Sequence, residues 1–423
     1  MMTRCKRLTR LASLVSVLAF VPHGAADTLT ARSCAQEDVQ KAIDEAADGD
    51  AVAVPAGTAT WRTSEANRPA VVISRRGREK AITLRGAGAG RTVITDATGP
   101  ECFQVLIKSG ERGIYRDVRD RVLRITGFTF KGDGGDAAIL VGGYTNWRID
   151  HCRFENRGRS LWVSGFGLVD HCVFDKKENG QSVFVSHADY AGGSHGDGSW
   201  RTPLVLGSEK AVTIEDCTFT YYAAKPNAAL DACYGARVVF RHNTLHDAHL
   251  ASHGTESSGR GRSVRSYEIY ANRFHLGPGR EWFTAMFLRG GTGVIFGNTL
   301  TGGYRSFALA TNYRSTKAYP PWGKCDGTSE WDGNQEMNGY PALDQIGRST
   351  DKGPGTPQQR EPLHEWDNTL NGKDADITVS GGPAVQAHIK EGRDFINDAK
   401  WSGYTPYPYP HPLTHDGASG TPG

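Results

Sequence analysis

After its first two dozen residues this chain has no apolar stretch long enough to cross a bilayer, so no membrane span is expected. It has no Cys-x-x-Cys and no paired Cys/His spacing, which argues against a structural zinc site. It also lacks a charge excess. The formal net charge of +3 includes Arg4, Lys6, Arg7 and Arg10, and without those four the rest is near −1. Nothing in that balance suggests a nucleic-acid partner. The glycine run Gly86-Ala87-Gly88-Ala89-Gly90 is not followed by Lys-Ser/Thr, so it reads as a tight turn rather than a phosphate cradle.

The basic residues just named precede the apolar stretch Leu11 to Val21 and the small residues Gly24-Ala25-Ala26. That order is a secretory signal over residues 1–26, and it implies a secreted or periplasmic protein. Setting Cys5 aside leaves Cys34, Cys102, Cys152, Cys172, Cys217, Cys233 and Cys325, an odd number with at least one free thiol.

What the chain does contain is a phrase repeated with variation. Ile-Asp-His-Cys-Arg-Phe ends at Phe154, Val-Asp-His-Cys-Val-Phe at Phe174 and Ile-Glu-Asp-Cys-Thr-Phe at Phe219. Phe-Arg-His-Asn-Thr-Leu, Ile-Tyr-Ala-Asn-Arg-Phe and Ile-Phe-Gly-Asn-Thr-Leu follow, ending at Leu245, Phe274 and Leu300. The Cys/Asn positions are 152, 172, 217, 243, 272 and 298, spaced by 20, 45, 26, 29 and 26. A period in the twenties in β-patterned sequence predicts a solenoid, because one coil cannot bury its apolar face alone. Asn at a fixed turn can bond the coils above and below, and Cys fits the same inward slot as a small apolar residue. Buried, reduced thiols are therefore expected at Cys152, Cys172 and Cys217.

Val39, Ala42, Ile43 and Ala46 share a helical face that Gly49 ends, and such a helix, within residues 27–50, would cover the open end of the solenoid. Coils are expected over 51–311. The long interval before Cys217 holds an insertion from His187 to about Arg201, leaving directly after Val183–Ser186. A short excursion runs from Ser257 to Arg262, and the largest insertion spans 312–361. Insertions leaving at one angular position build a wall along one side, often the binding side. Residues 362–423 are read as a terminal coil and a Pro/Tyr-rich tail, whose prolines bar it from a sheet and lay it along the barrel.

With Gly49-Asp50-Ala51-Val52-Ala53-Val54-Pro55-Ala56-Gly57, Leu84-Arg85-Gly86-Ala87-Gly88 and the repeated phrases, the chain resembles the pectate-lyase-like superfamily between about Cys34 and Leu300. The resemblance implies an all-β fold, a right-handed parallel β-helix, and a secreted protein of the polysaccharide lyase or glycoside hydrolase type. The polygalacturonase set of Asn-x-Asp, Asp-Asp and Gly-His-Gly is missing, and the pectate-lyase catalytic Arg motif has no residue-by-residue match. No catalytic residue is carried over.

The chemistry is therefore read from the insertion side. β-Elimination on a uronate needs a cation (Arg, Lys or bound Ca²⁺) on the carboxylate, a base for the α-proton and an acid for the leaving oxygen. The candidates are His253 as base, Arg289 or Arg265 as clamp and Tyr234 as acid. Lys225, Asp231, Glu256, His187 and Trp200 are candidate substrate contacts, and no metal ligands are assigned. For several, blander readings stand alongside. His253 could cap a turn, Arg260 and Arg262 could be solvated, Arg265 could pair with Glu268, and His246 and His249 read as solvated turn residues. Cleavage of an acidic polysaccharide by a monomer is the leading expectation. A hydrolase using paired carboxylates, with Asp189 and Asp197 as further candidates, and a non-catalytic carbohydrate-binding protein are the alternatives.

Overall fold

The computed structural model describes residues 26–415 apart from 64, 66–67, 75–79, 100–104, 111–120, 133, 157, 178–179, 257–258 and 350–357. The expected signal, but for its last residue, and Cys102 lie outside the described residues.

Three long sheets run the length of the chain, with twelve, eleven and ten strands among the described residues. Sheet 1 runs from Thr28–Thr30 to Phe395–Ile396, sheet 2 from Gly57–Trp61 to Lys373–Asp374, and sheet 3 from Val71–Ser74 to Ile377–Val379. Neighbouring strands within a sheet come from successive coils and pair in parallel, except that Lys373–Asp374 turns back antiparallel on Thr369–Leu370. This is the parallel β-helix expected from the repeat.

The repeated phrase is the corner between sheets 1 and 2. Seven consecutive sheet 1 strands, from Trp147–Asp150 to Leu363–Trp366, are each followed by one left-handed residue: His151, His171, Asp216, His242, Ala271, Gly297 and Asp367, with φ between 49° and 62°. The next residue takes the inward slot. Asn272 shows how the slot works. Its Oδ1 accepts from the Asn243 backbone N–H at 3.0 Å, and its Nδ2 donates to the Phe240 carbonyl at 2.8 Å and to Asn298 Oδ1 at 2.9 Å. Asn298 makes the same bonds to Asn368, a member of the ladder that the phrase had not reached. At the other end the Cys217 N–H donates to Asn243 Oδ1 at 2.9 Å. Cys152, Cys172 and Cys217 aim their thiols at Ile125, Ile149 and Val169 carbonyls, the acceptors that amides take higher up. All six described cysteines are buried and unbridged. Beyond the slot, Phe130, Phe154, Phe174 and Phe219 stack at 5.4, 4.9 and 4.6 Å between centroids and fill the core.

Both ends and one flank are covered. The helix Gln36–Glu45 buries Val39, Ala42 and Ile43 against the first coil. Its Gln40 bonds both the N–H and the carbonyl of Val72, and Gln36 donates to the Ala70 carbonyl, so the open edge of sheet 3 is satisfied. The Pro/Tyr tail lies along the outside of sheet 1, as expected. Arg241 donates to the carbonyls of Tyr407 and Pro408, Arg148 to that of Leu413, and Tyr404 bonds Glu268. The glycine run is the turn before Thr92–Asp96, where a Cβ on Gly86 would strike the Gly127 carbonyl of the next coil.

Adjacent residues of one corner should respond oppositely to substitution. Asn272→Ala leaves the buried Asn243 N–H and the Phe240 carbonyl unpaired and should cost about 2–4 kcal/mol in urea unfolding. Ala271→Gly relieves a left-handed non-glycine residue and should be neutral or add up to about 1 kcal/mol. A destabilised Ala271→Gly would contradict the corner geometry.

Candidate active site

Sheet 3 carries the groups of interest on its outer face. Leu230, Ala232 and Leu250 point into the core, so the alternating Asp231 and Ala251 point out. Register aligns Leu140, Trp162, Phe184, Asp231, Ala251, Phe287 and Leu309 in one row across seven coils. Asp231 is the only charge among these seven, with Lys108 next along the row beyond Leu140, and at 2% exposure it needs partners. Gln181 donates to its Oδ2. Nε2 of His253, which follows the strand Ala248–Ser252, lies 2.7 Å from Oδ1, a close approach whose angle falls short of a hydrogen bond.

Arg289 arrives from the next coil. Its Nε donates to the Ser252 carbonyl at 3.0 Å, and its guanidinium lies 5.0 Å over Phe287 and 5.9 Å from the Tyr313 ring centre. Nη1 is 3.4 Å from Glu256 Oε1. Gly254 is required between these groups, because a Cβ there would meet the Glu256 carboxylate and the Arg289 carbonyl.

His249 sits two residues before Ala251 on the same face, with Trp282 at 5.5 Å between ring centroids. Burial lowers its pKa to about 4; the Asp231 charge opposes that shift and the Arg289 charge adds to it. The ring is therefore neutral at neutral pH. Nδ1 of His249 and Nδ1 of His253 are both shielded from solvent and have no hydrogen-bond partner. Such groups are rare in native proteins. Two of them, one on the strand Ala248–Ser252 and one just after it, beside an arginine and a carboxylate, suit proton transfer.

The insertions build a wall at the C-terminal ends of these strands. Residues 187–201 leave after Val183–Ser186 and residues 312–361 leave near the end of Ala308–Ala310, both in sheet 3. Arg262 joins them, bonding both oxygens of Asp344 at 2.7 Å and Asp197 at 3.1 Å. Arg260 adds a bond to Asp197 at 3.0 Å and packs over Trp322. Arg262, read from sequence as solvated, is 6% exposed, and Asp197 is committed to these arginines rather than to a carboxylate pair.

Three expected site residues lie inside this wall instead of on the face. Arg265 is buried, bonds Glu361 at 2.7 Å rather than Glu268, and lies against Trp200. Trp200 is buried between Arg262 and Arg265 and donates to the Ser263 carbonyl, so it offers no ring to a sugar. His187 is fully buried against Phe166, with its Nε2 at 2.8 Å from the Gly165 carbonyl, and burial lowers its pKa to about 3. The cause is common to all three: the insertions fold back on the barrel and consume their own polar groups. Tyr234 is half-buried in the turn after Asn227–Cys233, while Lys225 is exposed before the opposite end of that strand. His253, Asp231, Arg289 and Glu256 do come together.

Sequence reading missed several neighbours. His249, read from sequence as a solvated turn residue, lies on the strand Ala248–Ser252. Tyr313 opens the largest insertion, half exposed near Arg289 and Phe287. Trp162 and Phe184 pack edge-on at 5.1 Å beneath Arg159, on the other side of Asp231 in the row. Only the register exposes that aromatic platform.

No family profile matches the chain, and no curated protein matches it. The architecture is a parallel β-helix. Similar solved structures include an alginate lyase from Paenibacillus sp. str. FPU-7, at 12% identity over 67% of this chain and 99% of the other, TM-score 0.35. The tailspike protein of E. coli bacteriophage HK620, solved with a pentasaccharide, matches at 12% identity over 64% and 59%, TM-score 0.34. The A-module of a mannuronan C-5 epimerase from Azotobacter vinelandii matches at 12% identity over 64% and 91%, TM-score 0.29. At these values no residue or activity transfers, and the β-helix rests on the chain's own strand pairing.

The buried imidazoles give a pH dependence of definite sign. The folded pKa values of His187 and His249 are lowered from 6.5 to about 3 and about 4. Their contribution is fully present above pH 6.5 and is lost as pH falls toward those values, because the unfolded chain takes up protons that the native state refuses. Urea midpoints should fall between pH 7 and 5, with up to about 2 kcal/mol from each ring. His187→Gln should flatten that slope; an unchanged slope would place its ring in contact with solvent.

Proposed function

We propose that the outer face of sheet 3 binds an acidic, uronate-containing polysaccharide and cleaves it by β-elimination. The observation that carries this reading is the meeting of Asp231, His249, His253 and Arg289, with two imidazole nitrogens unpartnered beside a guanidinium. The aromatic rows on either side, Trp162 with Phe184 and Phe287 with Phe283, offer apolar ring surface to flanking sugars.

In this scheme Arg289 pairs with the uronate carboxylate and so acidifies the proton α to it. His253, oriented by Asp231, takes that proton, the bond from the β-carbon to the glycosidic oxygen breaks, and a carbon–carbon double bond forms. Tyr313 gives its proton to the departing oxygen. Burial and the Glu256 charge hold its hydroxyl above the usual phenol range although Arg289 opposes them, so it is protonated at neutral pH. Tyr234, in the turn after the strand that carries Asp231, is the alternative donor. His249, neutral, accepts a hydrogen bond from a sugar hydroxyl. Export fits a substrate of this size.

A hydrolase is the second reading, and the presence of both Asp231 and Glu256 at the site favours it. Each carboxylate already faces a cationic or ionisable partner, which fits elimination better. Incubation with a panel of uronate polysaccharides separates the two, because elimination creates an unsaturated uronate that absorbs in the ultraviolet. His253→Ala should lower its appearance by about two to four orders of magnitude. Arg289→Ala should impair both KM and kcat, and Tyr313→Phe mainly kcat. New reducing ends without absorbance would establish hydrolysis, and near-normal activity in both His253→Ala and Arg289→Ala would move the site elsewhere.

A further inference from the structure

The asparagine ladder ends in an unusual way. Asn368, its last member, donates to Oε1 of Glu365 on the strand Leu363–Trp366. Glu365 pairs in register with Ile295 and shares the inward face of Leu363, so a carboxylate enters the last coil where lower coils place large apolar residues such as Ile295, Ile269 and Phe240. It is 1% exposed, and its Oε2 has no hydrogen-bond partner. Two aspartates from the segments closing the barrel come to meet it. One carboxylate oxygen each from Glu365, Asp376 and Asp398 lies within 4.8 Å of the others.

Among the described residues no lysine or arginine forms an ion pair with any of the three. The charges bearing on Asp376 are those of Asp398, Glu391 and Asp374, all negative. Three carboxylates drawn together without a counter-charge repel one another, yet backbone bonds hold the segments in place. The Ala399 N–H donates to the Glu365 carbonyl, and the Ile377 N–H donates to Asn397 Oδ1. Oxygens bound to one Ca²⁺ at about 2.3–2.6 Å lie no more than about 5 Å apart, which this cluster satisfies. Its donors are all oxygen, and two come from irregular segments, which suits the adaptable shell of Ca²⁺ better than the strict octahedron of Mg²⁺.

We propose that Glu365, Asp376 and Asp398 form a Ca²⁺ site that closes the C-terminal end of the barrel, as the helix Gln36–Glu45 closes the other. The site is separate from the sheet 3 face and independent of any activity there. Burial, with Asp376 and Asp398 adding to it, pushes the Glu365 carboxyl up to about 7, although the Asn368 amide and the Asp398 backbone oppose the shift.

Calcium chloride titrated into the EDTA-stripped full chain should give one saturable site. At saturation the unfolding temperature should rise by a few degrees. The Asp376→Asn/Asp398→Asn double variant, altered at two exposed positions, should lose the site. In EDTA it should melt at or above the native protein, because like charges have been removed. Three results would overturn the proposal: no saturable binding to the native chain, equal binding by the double variant, or an equal shift with Mg²⁺ alone.

Discussion

Everything in this fold hangs on a buried amide that must bond in two directions. A parallel coil leaves one corner where the chain turns inward, and the backbone N–H there has no strand partner. Asn243, Asn272, Asn298 and Asn368 each give an oxygen to the corner below and a donor to a carbonyl beneath. Leaving such groups unmatched would cost about 1–3 kcal/mol apiece. The ladder thus fixes how far each of these coils rotates relative to the last, and it keeps a left-handed residue at each corner it spans despite the steric cost.

Fixed rotation is what makes a site possible on the outer face. Side chains from successive coils stand about 4.8 Å apart, so a residue from each of several coils can reach one sugar. Asp231, the pair His249 and His253, and Arg289 belong to three consecutive strands of sheet 3. None is near another of these strands' groups by local sequence; stacking alone gathers them. The insertions serve a different end. Their arginines and acids bond one another across Arg262, which makes a rigid wall and withdraws those charges from any ligand.

The fold was legible in the sequence because the repeated phrase marks the one corner with strict chemical demands. The capping helix, the tail and the angular position of the insertions followed from period and punctuation. The site was legible only in part. His253, Asp231, Arg289 and Glu256 emerged because they sit on or beside regular coils whose register can be counted. Arg265, Trp200 and His187 did not behave as expected, because composition cannot tell which insertion charges are spent on each other. His249 was hidden because the Asp beside it made it read as a turn residue, whereas it lies on the strand Ala248–Ser252.

The tail along sheet 1 gives the solenoid a property that stacked repeats usually lack. In a simple stack each coil touches only its neighbours, so an end can fray while the middle stays folded. Here Arg148 holds the Leu413 carbonyl across 265 residues of chain, while Arg241, Glu268 and Glu215 grip other points of the same segment. The segment from Tyr404 to Leu413 thus ties early coils to late ones, and fraying at one end must release contacts along much of the barrel. Such a strap turns a row of loosely coupled units into something nearer a single cooperative body.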